Sequence, residues 1–225
     1  MDKESKNYNN LAKRLTAVLG LKGAPVAVAL RDDIPNDIQK GKPARHCEMV
    51  QTARLDGTQF YATADEQTCK GGAAVMGIID VPENVANGEF YYKLGAFASV
   101  KAAKNTMGLL PKIGKRSKAV LYAPLESAGF VPDMVIVLGS PKQAMQIVQA
   151  DLYKEGGRIE TGVAGKQSLC GDIVAHTLNT GTIQVSLACA GSRGHAKVAD
   201  DELIVGIPAA RLGQLMDSLE TLFKK

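Results

Sequence analysis

The sequence predicts a mixed α/β (α+β) fold, and three observations support that prediction. Short apolar runs of strand length alternate with longer stretches that carry an apolar stripe at helical spacing. The same order of elements occurs twice along the chain. The 225 residues are 45% hydrophobic and 22% charged, an ordinary globular composition that excludes a disordered chain, a collagen-like repeat and a coiled coil.

The first half of the chain begins with an amphipathic helix that ends at Gly20, a natural C-cap. The mostly apolar run 24–30 then predicts a buried strand. A second helix begins near His46 and stops near a glycine at position 57. A strand over 59–63 and a helix over 71–79, entered through a glycine pair, complete the elements predicted for this half.

The second half repeats this order. A strand over 134–138 is followed by a helix that begins at Ser140-Pro141 and is predicted to bury Met145, Val148 and Leu152. The remaining predicted elements of this half are, in chain order, a strand over 158–161, a helix over 169–178, strands over 182–187 and 203–207, and a final helix that begins at Pro208.

This repetition predicts an internal duplication, with one half-repeat over 24–126 and the other over 131–214. The segment 119–124 resembles 203–208. Cys69-Lys70-Gly71 aligns with Cys170-Gly171-Asp172 when a three-residue insertion is allowed. A repeat this long excludes a solenoid. We therefore predict a single compact domain over 1–225, in which each half is a small mixed sheet with flanking helices.

Charge and hydropathy limit the partners that this chain could bind. The 27 Lys and Arg residues against 23 Asp and Glu give a net charge of +4, and there is no Trp, so nucleic acid is not expected as a partner. No apolar run approaches the roughly 18 residues of a spanning helix, and the chain starts with a polar segment. We expect a cytoplasmic protein that binds a small molecule or a redox partner protein. An exposed apolar patch could also make it a homodimer.

The four cysteines, Cys47, Cys69, Cys170 and Cys189, direct attention to metal or thiol chemistry. Thiols of a cytoplasmic protein stay reduced, so a disulfide framework is not expected. No C-x-x-C pair is present, which excludes the local signatures of zinc ribbons, thioredoxin-like motifs and bacterial ferredoxins. The alternative that all four are small buried core residues remains open.

The neighbours of these cysteines favour a site. At least three cysteines are predicted at loop-to-helix junctions, where free backbone N–H groups lower a thiol pKa. Glycines beside them permit close approach of a bound group, and basic side chains could balance its negative charge. His46 or His195 could transfer a proton or donate a hydrogen bond to a sulfur of a bound cluster. The predicted cofactor-binding residues are Arg45, Lys70, Gly71, Gly72, Gly171, Gly191, Arg193 and His195.

Four converging thiolates would suit tetrahedral zinc or an iron–sulfur cluster. Single ligands on separate loops favour the 4Fe–4S cluster, with Cys47, Cys69, Cys170 and Cys189 as its ligands. The predicted function is then electron transfer or cluster-assisted chemistry on a small molecule. Two other hypotheses stay open: a metal-free module that binds a small anion or senses it, and a thiol-dependent enzyme, for example one that pairs Cys47 with His195. The acidic run 200–202 is interpreted as a solvated turn before a strand.

The blocks around the cysteines also resemble a known family. RHCE (45–48), TCKGG (68–72), SLC (168–170) and VSLACAGSR (185–193), together with DDELIVGIP (200–208), resemble the archaeal and bacterial family named domain of unknown function 169. The resemblance covers nearly the whole chain. It implies an origin mostly in strict anaerobes, including methanogens, which suits an oxygen-sensitive cofactor. It implies no activity.

Overall fold

One continuous sheet of six strands forms the centre of the protein. The computed structural model describes residues 3–224, with side chains from residue 5 onward; Met1, Asp2 and Lys225, which the predicted 1–225 domain includes, lie outside the described residues. The sheet has the order β2-β3-β1-β4-β6-β5, and neighbouring strands pair antiparallel. The strands are β1 (Val26–Arg31), β2 (Phe60–Thr63), β3 (Ala119–Pro124), β4 (Met134–Gly139), β5 (Gln184–Ser186) and β6 (Leu203–Pro208).

The strand order is symmetric about its centre. Segment 24–126 supplies β1 to β3 on one side, and segment 131–214 supplies β4 to β6 on the other. The two groups meet where β1 pairs antiparallel with β4, with Val26 opposite Ile136. The predicted α/β class is confirmed. Each half contributes three strands to a shared antiparallel sheet rather than a mixed sheet of its own, and a duplication as the origin of this symmetry stays a prediction.

Ten α-helices surround the sheet within the described residues. They are α1 (Lys3–Leu19), α2 (His46–Asp56), α3 (Lys70–Val75), α4 (Glu83–Ala86), α5 (Glu89–Lys93), α6 (Val100–Leu109), α7 (Pro141–Leu152), α8 (His176–Thr180), α9 (Ala190–Gly194) and α10 (Leu212–Phe223). A π-helical segment, Ser168–Ala175, runs directly into α8. In the described part of the chain, no helix has both the length and the apolarity needed to cross a membrane.

Alternation along the strands creates two cores, one on each face of the sheet. In β1, Ala27 and Ala29 belong to the core covered by α1, α7 and α10, whereas Val26 and Val28 belong to the other core. That second core is covered by α2, α3 and the π-helical segment, through residues such as Val50 and Ile173. The second face therefore holds the elements that carry the cysteine blocks.

Two sequence predictions in the second half are wrong. Helix α7 buries Ala144, Ile147 and Ala150, while Met145 is 48% exposed, because α7 packs closely against α10 through its small residues. Segment 158–161 is not a strand. The Thr161 hydroxyl donates to the Val185 carbonyl of edge strand β5 at 2.8 Å, so a side chain takes the place that a ladder N–H would occupy.

Candidate cysteine-lined site

The four cysteines line a single cavity of about 590 Å³ on the second face of the sheet. Each comes from a different element. Cys47 lies in the first turn of α2, Cys69 is the N-cap of α3, Cys170 lies within the π-helical segment and Cys189 is the N-cap of α9. Residues separated by up to 142 positions in the chain are thus brought together by the tertiary fold.

The symmetric sheet explains part of this arrangement. Cys69 follows β2 and Cys189 follows β5, and each caps the short helix that leads toward the next strand. In position along the fold, Cys69 therefore corresponds to Cys189, whereas the sequence aligns Cys69 with Cys170. The predicted loop-to-helix junction is observed for Cys47, Cys69 and Cys189, whereas Cys170 lies inside a helical segment.

Backbone strain occurs directly before two of the cysteine segments. Gln167 (φ +47°) precedes the π-helical segment, and Ala188 (φ +64°) precedes Cys189. A left-handed conformation is unfavourable for residues with a Cβ, and such strain concentrates at functional sites. Gln167 is held by its contacts: its carbonyl accepts from the Gly171 N–H at 2.6 Å, and its Nε2 donates to the Tyr91 hydroxyl at 2.8 Å.

Gly72 and Gly191 leave space beside the sulfur atoms. A Cβ on Gly72 would lie 3.4 Å from the Cys170 Sγ and 3.5 Å from the Cys69 Sγ, so these two sulfur atoms flank the same point. A Cβ on Gly191 would lie 3.6 Å from the Cys189 Sγ. The predicted role of these two glycines, close approach of a bound group, is therefore compatible with the geometry.

The thiols differ in acidity. Burial and the nearby Cys189 and Cys69 sulfurs raise the pKa of Cys47 to about 12. Burial and the other three cysteines raise the pKa of Cys170 well above its usual value. Burial also disfavours the Cys189 thiolate, but the polar groups of the neighbouring Ser168 and Ser192 outweigh it and lower the pKa of Cys189; the Ser192 hydroxyl oxygen lies 3.4 Å from the Cys189 Sγ. The prediction that a loop-to-helix junction lowers the thiol pKa is wrong for Cys47, and Cys170 does not lie at such a junction.

The charge in the cavity wall is basic. Arg45, Lys166 and His195 line it, and none of the described lining residues is Asp or Glu. Because burial, and after it the neighbouring cysteines, raise the pKa values of Cys47 and Cys170, a positively charged centre between the sulfurs would stabilise their thiolates. His46 also lines the cavity; burial lowers the pKa of its ring to about 3.

Four predicted site residues do not line this cavity in the described structure. The Arg193 guanidinium donates to the carbonyls of Ala199 (2.5 Å) and Leu187 (2.7 Å), so it braces the loop around α9 instead of facing a bound group. The Lys70 ammonium reaches the Ala64 carbonyl at 3.3 Å. Gly71 and Gly171 both lie against Gln167, with no position in the cavity wall.

Sequence reasoning missed one wall of the cavity. Phe90, Tyr91 and Leu94, from α5 and the residue after it, line the cavity opposite the cysteine helices, and Lys166 lies on the loop before the π-helical segment. The Tyr91 ring is in edge-on contact with Phe90, with ring centroids 5.2 Å apart. These aromatic residues lie far along the chain from every cysteine block, so the sequence does not indicate that they line the same cavity. Only the tertiary fold brings them there.

A single metal ion and a cuboidal cluster place different demands on the four thiols. Zn–S bonds of about 2.3 Å would bring four tetrahedral thiolates within ~3.8 Å of one another. Among the described side chains, no group of three His, Cys, Asp or Glu residues could hold a metal ion. A cuboidal cluster makes a different demand, because each of its four irons takes one thiolate and the inorganic core separates them.

Comparison with known proteins gives a family and an uncharacterised relative. Residues 14–218 match the profile of the family named domain of unknown function 169 and described as "Uncharacterised ArCR". The chain is 39% identical over 214 residues to "Uncharacterized protein MJ0308" of Methanocaldococcus jannaschii, covering 93% of this chain and 92% of the relative. No solved structure matches the chain.

Proposed function

The chain belongs to the domain of unknown function 169 family, and from its cavity we propose that it holds a 4Fe–4S cluster and serves in one-electron transfer. The ligands would be Cys47, Cys69, Cys170 and Cys189. One observation supports this most strongly: four cysteines from four separate elements line one cavity. None of the described residues that line it is Asp or Glu. When bound, the cluster would supply a site that gains and loses one electron.

The surroundings fit an anionic cluster. Arg45 and Lys166 line the cavity, and basic groups near the sulfurs stabilise the negative charge of a thiolate-ligated centre. The glycines at 72 and 191 keep Cβ atoms out of the space next to the sulfurs. Most of the thiol neighbourhood is buried, since Cys170 is 8% exposed and the other three are half-buried, which limits solvent access to the centre.

Electron transfer is favoured over catalysis on an open iron. A cluster with three protein ligands keeps one iron free for a substrate, whereas four thiolates complete the coordination of all four irons. All four cysteines line the same cavity, so each iron of a bound cluster would have one cysteine available as its ligand. The compartment would be the cytoplasm of an anaerobe, because an oxygen-sensitive centre is protected there. The partner would be a redox protein that exchanges an electron with the cluster.

A thiol-dependent enzyme is the second candidate, and one observation favours it. The pKa of Cys189 is lowered by Ser168 and Ser192, the condition that activates a nucleophile. Cys47, which was paired with His195 in the sequence-based hypothesis, has a pKa of about 12 and is a poor nucleophile at neutral pH. A thiol enzyme would therefore use Cys189, and it would not need the other three cysteines.

Anaerobic reconstitution with iron and sulfide separates these functions. The experiment compares the wild-type chain, each single Cys→Ser variant and a Lys70→Ala control, whose side chain lies outside the cavity wall. We expect the wild type and Lys70→Ala to bind iron and sulfide and to absorb visible light, and each Cys→Ser variant to bind less. Full iron content in a Cys→Ser variant removes that cysteine from the ligand set. A wild-type chain that stays colourless rejects the cluster.

A further inference from the structure

His46 is buried beside the cysteines with one ring nitrogen bonded and the other without a partner. Its Nδ1 lies 2.8 Å from the Tyr122 hydroxyl oxygen. Its Nε2 is buried and has no hydrogen-bond partner among the described residues, although the residue is only 2% exposed and lines the cavity. A buried polar atom without a partner is costly, so an acceptor or donor in the cavity would complete this site.

The direction of the hydrogen bonds can be derived from Gln67. Its amide nitrogen lies 3.7 Å from the Met49 sulfur and 3.3 Å from the Tyr122 hydroxyl oxygen. A thioether sulfur can only accept, so the Gln67 NH₂ group, not its carbonyl oxygen, faces both partners. The amide therefore donates to the Tyr122 oxygen.

The single hydroxyl proton of Tyr122 is then free to point at His46. The Tyr122 oxygen accepts from Gln67, and its one other hydrogen-bond partner among the described residues is the His46 Nδ1, so the hydroxyl proton is donated to that nitrogen. A neutral imidazole that accepts at Nδ1 carries its hydrogen on Nε2. The unpartnered nitrogen of His46 is therefore a buried N–H donor on a residue that lines the cysteine-lined cavity.

We propose that His46 is a positioning residue whose Nε2–H donates a hydrogen bond to a sulfur atom of the bound centre, held in that tautomer by the relay Gln67–Tyr122–His46. The inference rests on the proposed iron–sulfur function. A hydrogen bond to a cluster sulfur stabilises the added electron, so the relay sets a higher reduction potential than the cysteines alone would give.

The tautomer is tested first, in the iron-free chain. Ring nitrogen NMR of ¹⁵N-histidine-labelled protein, with the His46 signals assigned from their loss in His46→Gln, should show a protonated Nε2 and an unprotonated Nδ1. In Tyr122→Phe, which keeps the ring and removes the hydroxyl, that pattern should shift toward a mixture of tautomers. A protonated Nδ1 in the wild type overturns the inference, whether or not a cluster binds.

The second test measures the midpoint potential of the reconstituted protein. His46→Phe removes the donor and should lower the potential, Tyr122→Phe should lower it by less, and His46→Gln, whose amide can donate from a similar position, should restore most of it. His176→Gln, outside the cavity wall, should leave it unchanged. Equal midpoint potentials in His46→Phe, Tyr122→Phe and the wild type overturn the inference about His46 but not the proposed cluster. Absence of a cluster from the wild type overturns the proposed function instead.

Discussion

The Arg54 Nη2 atom lies 2.5 Å from the Glu202 Oε1 atom and joins the two halves of the protein beside the cysteine-lined site. Both side chains are largely buried, at 5% and 15% exposure. Arg54 is in the last turn of α2, the helix that begins next to Cys47, and Glu202 lies between α9 and β6. Gln51 strengthens the same connection by donating from its Nε2 to the Ala196 carbonyl at 3.0 Å.

Replacement of Glu202 by Gln should lower the stability of the protein strongly. The change leaves the Arg54 guanidinium buried without its counter-charge, and breaking a buried ion pair in this way costs about 3–5 kcal/mol. The free energy of unfolding in urea at pH 7 measures this loss. Asp200→Asn is the matched control, because the Asp200 side chain is fully exposed and its nearest cation is 3.9 Å away; we expect a change within about 0.5 kcal/mol there.

The same pair predicts a pH dependence. Burial raises the pKa of Glu202, but the hydrogen bond and charge of Arg54 outweigh it and lower that pKa below its usual value. The unfolded chain therefore takes up the proton at a higher pH than the folded one. The stabilisation by the pair is complete above the unfolded pKa of about 4.3 and is lost as the pH falls through the lower folded pKa. Between pH 6 and 3, the free energy of unfolding of Glu202→Gln should fall less with decreasing pH than that of the wild type. An equal fall in both proteins contradicts the assignment.

A methyl group at position 72 should displace the bound centre without harming the fold. The added Cβ would lie in ordinary contact with the sulfur atoms of Cys69 and Cys170, at 3.5 and 3.4 Å, so Gly72→Ala fills the space between two ligands. Alanine in a helix is also favoured over glycine by about 0.5–1 kcal/mol. We expect iron per chain to fall while the free energy of unfolding stays equal or rises.

The control for that variant is Gly108→Ala in α6, where an added Cβ meets nothing within 4 Å. It should bind iron like the wild type. Full iron content in Gly72→Ala would show that the cluster does not occupy the space between Cys69 and Cys170.

Gly206 allows the π-helical segment and α8 to lie close to the sheet. A Cβ at this position in β6 would meet the Thr177 Oγ1 at 2.5 Å and the Ile173 Cγ2 at 2.9 Å. Both contacts are too short, so Gly206→Ala should push the π-helical segment outward and cost about 1–3 kcal/mol. Urea unfolding measures the loss. Gly213→Ala in α10, with open space around its Cβ, should be neutral or stabilising, and an equal loss there would exclude this packing explanation.

Alkylation of the iron-free protein should follow the acidity of the thiols. At pH 7.5, Cys189 should react with iodoacetamide at least about tenfold faster than Cys47 or Cys170, because only the thiolate attacks and burial keeps the latter two protonated. Peptide mass spectrometry over a time course gives the three rates. Faster labelling of Cys47 than of Cys189 would contradict the lowered pKa of Cys189.

The location of the site was predictable from sequence because its signals are local. A cysteine beside glycines or basic residues, as in the block around Cys69, marks a loop-to-helix junction without any tertiary information. Strands were predictable for the same reason, since β1 and β4 are short apolar runs between turn residues. The α/β class followed from them.

The failures occurred where tertiary contacts decide between local alternatives. Helix α7 carries two apolar stripes, and the sequence favours the larger Met145 side over the small Ala144 side that packs on α10. Glu202 lies in an acidic run that is typical of a solvated turn, yet Arg54, 148 residues away, buries it. Arg193 is basic and adjoins a cysteine block, but nearby carbonyls take its donors. For α7 and Glu202, the partners lie far along the chain and leave no local pattern.

The iron and acid-labile sulfide content per chain, measured with the Mössbauer spectrum on protein purified without oxygen, decides whether the four cysteines hold a cluster. We expect about four irons and four sulfides per chain, all four irons in sulfur coordination typical of a 4Fe–4S cluster. Protein that contains neither iron nor sulfide after anaerobic purification and reconstitution, or one zinc per chain instead, would contradict it.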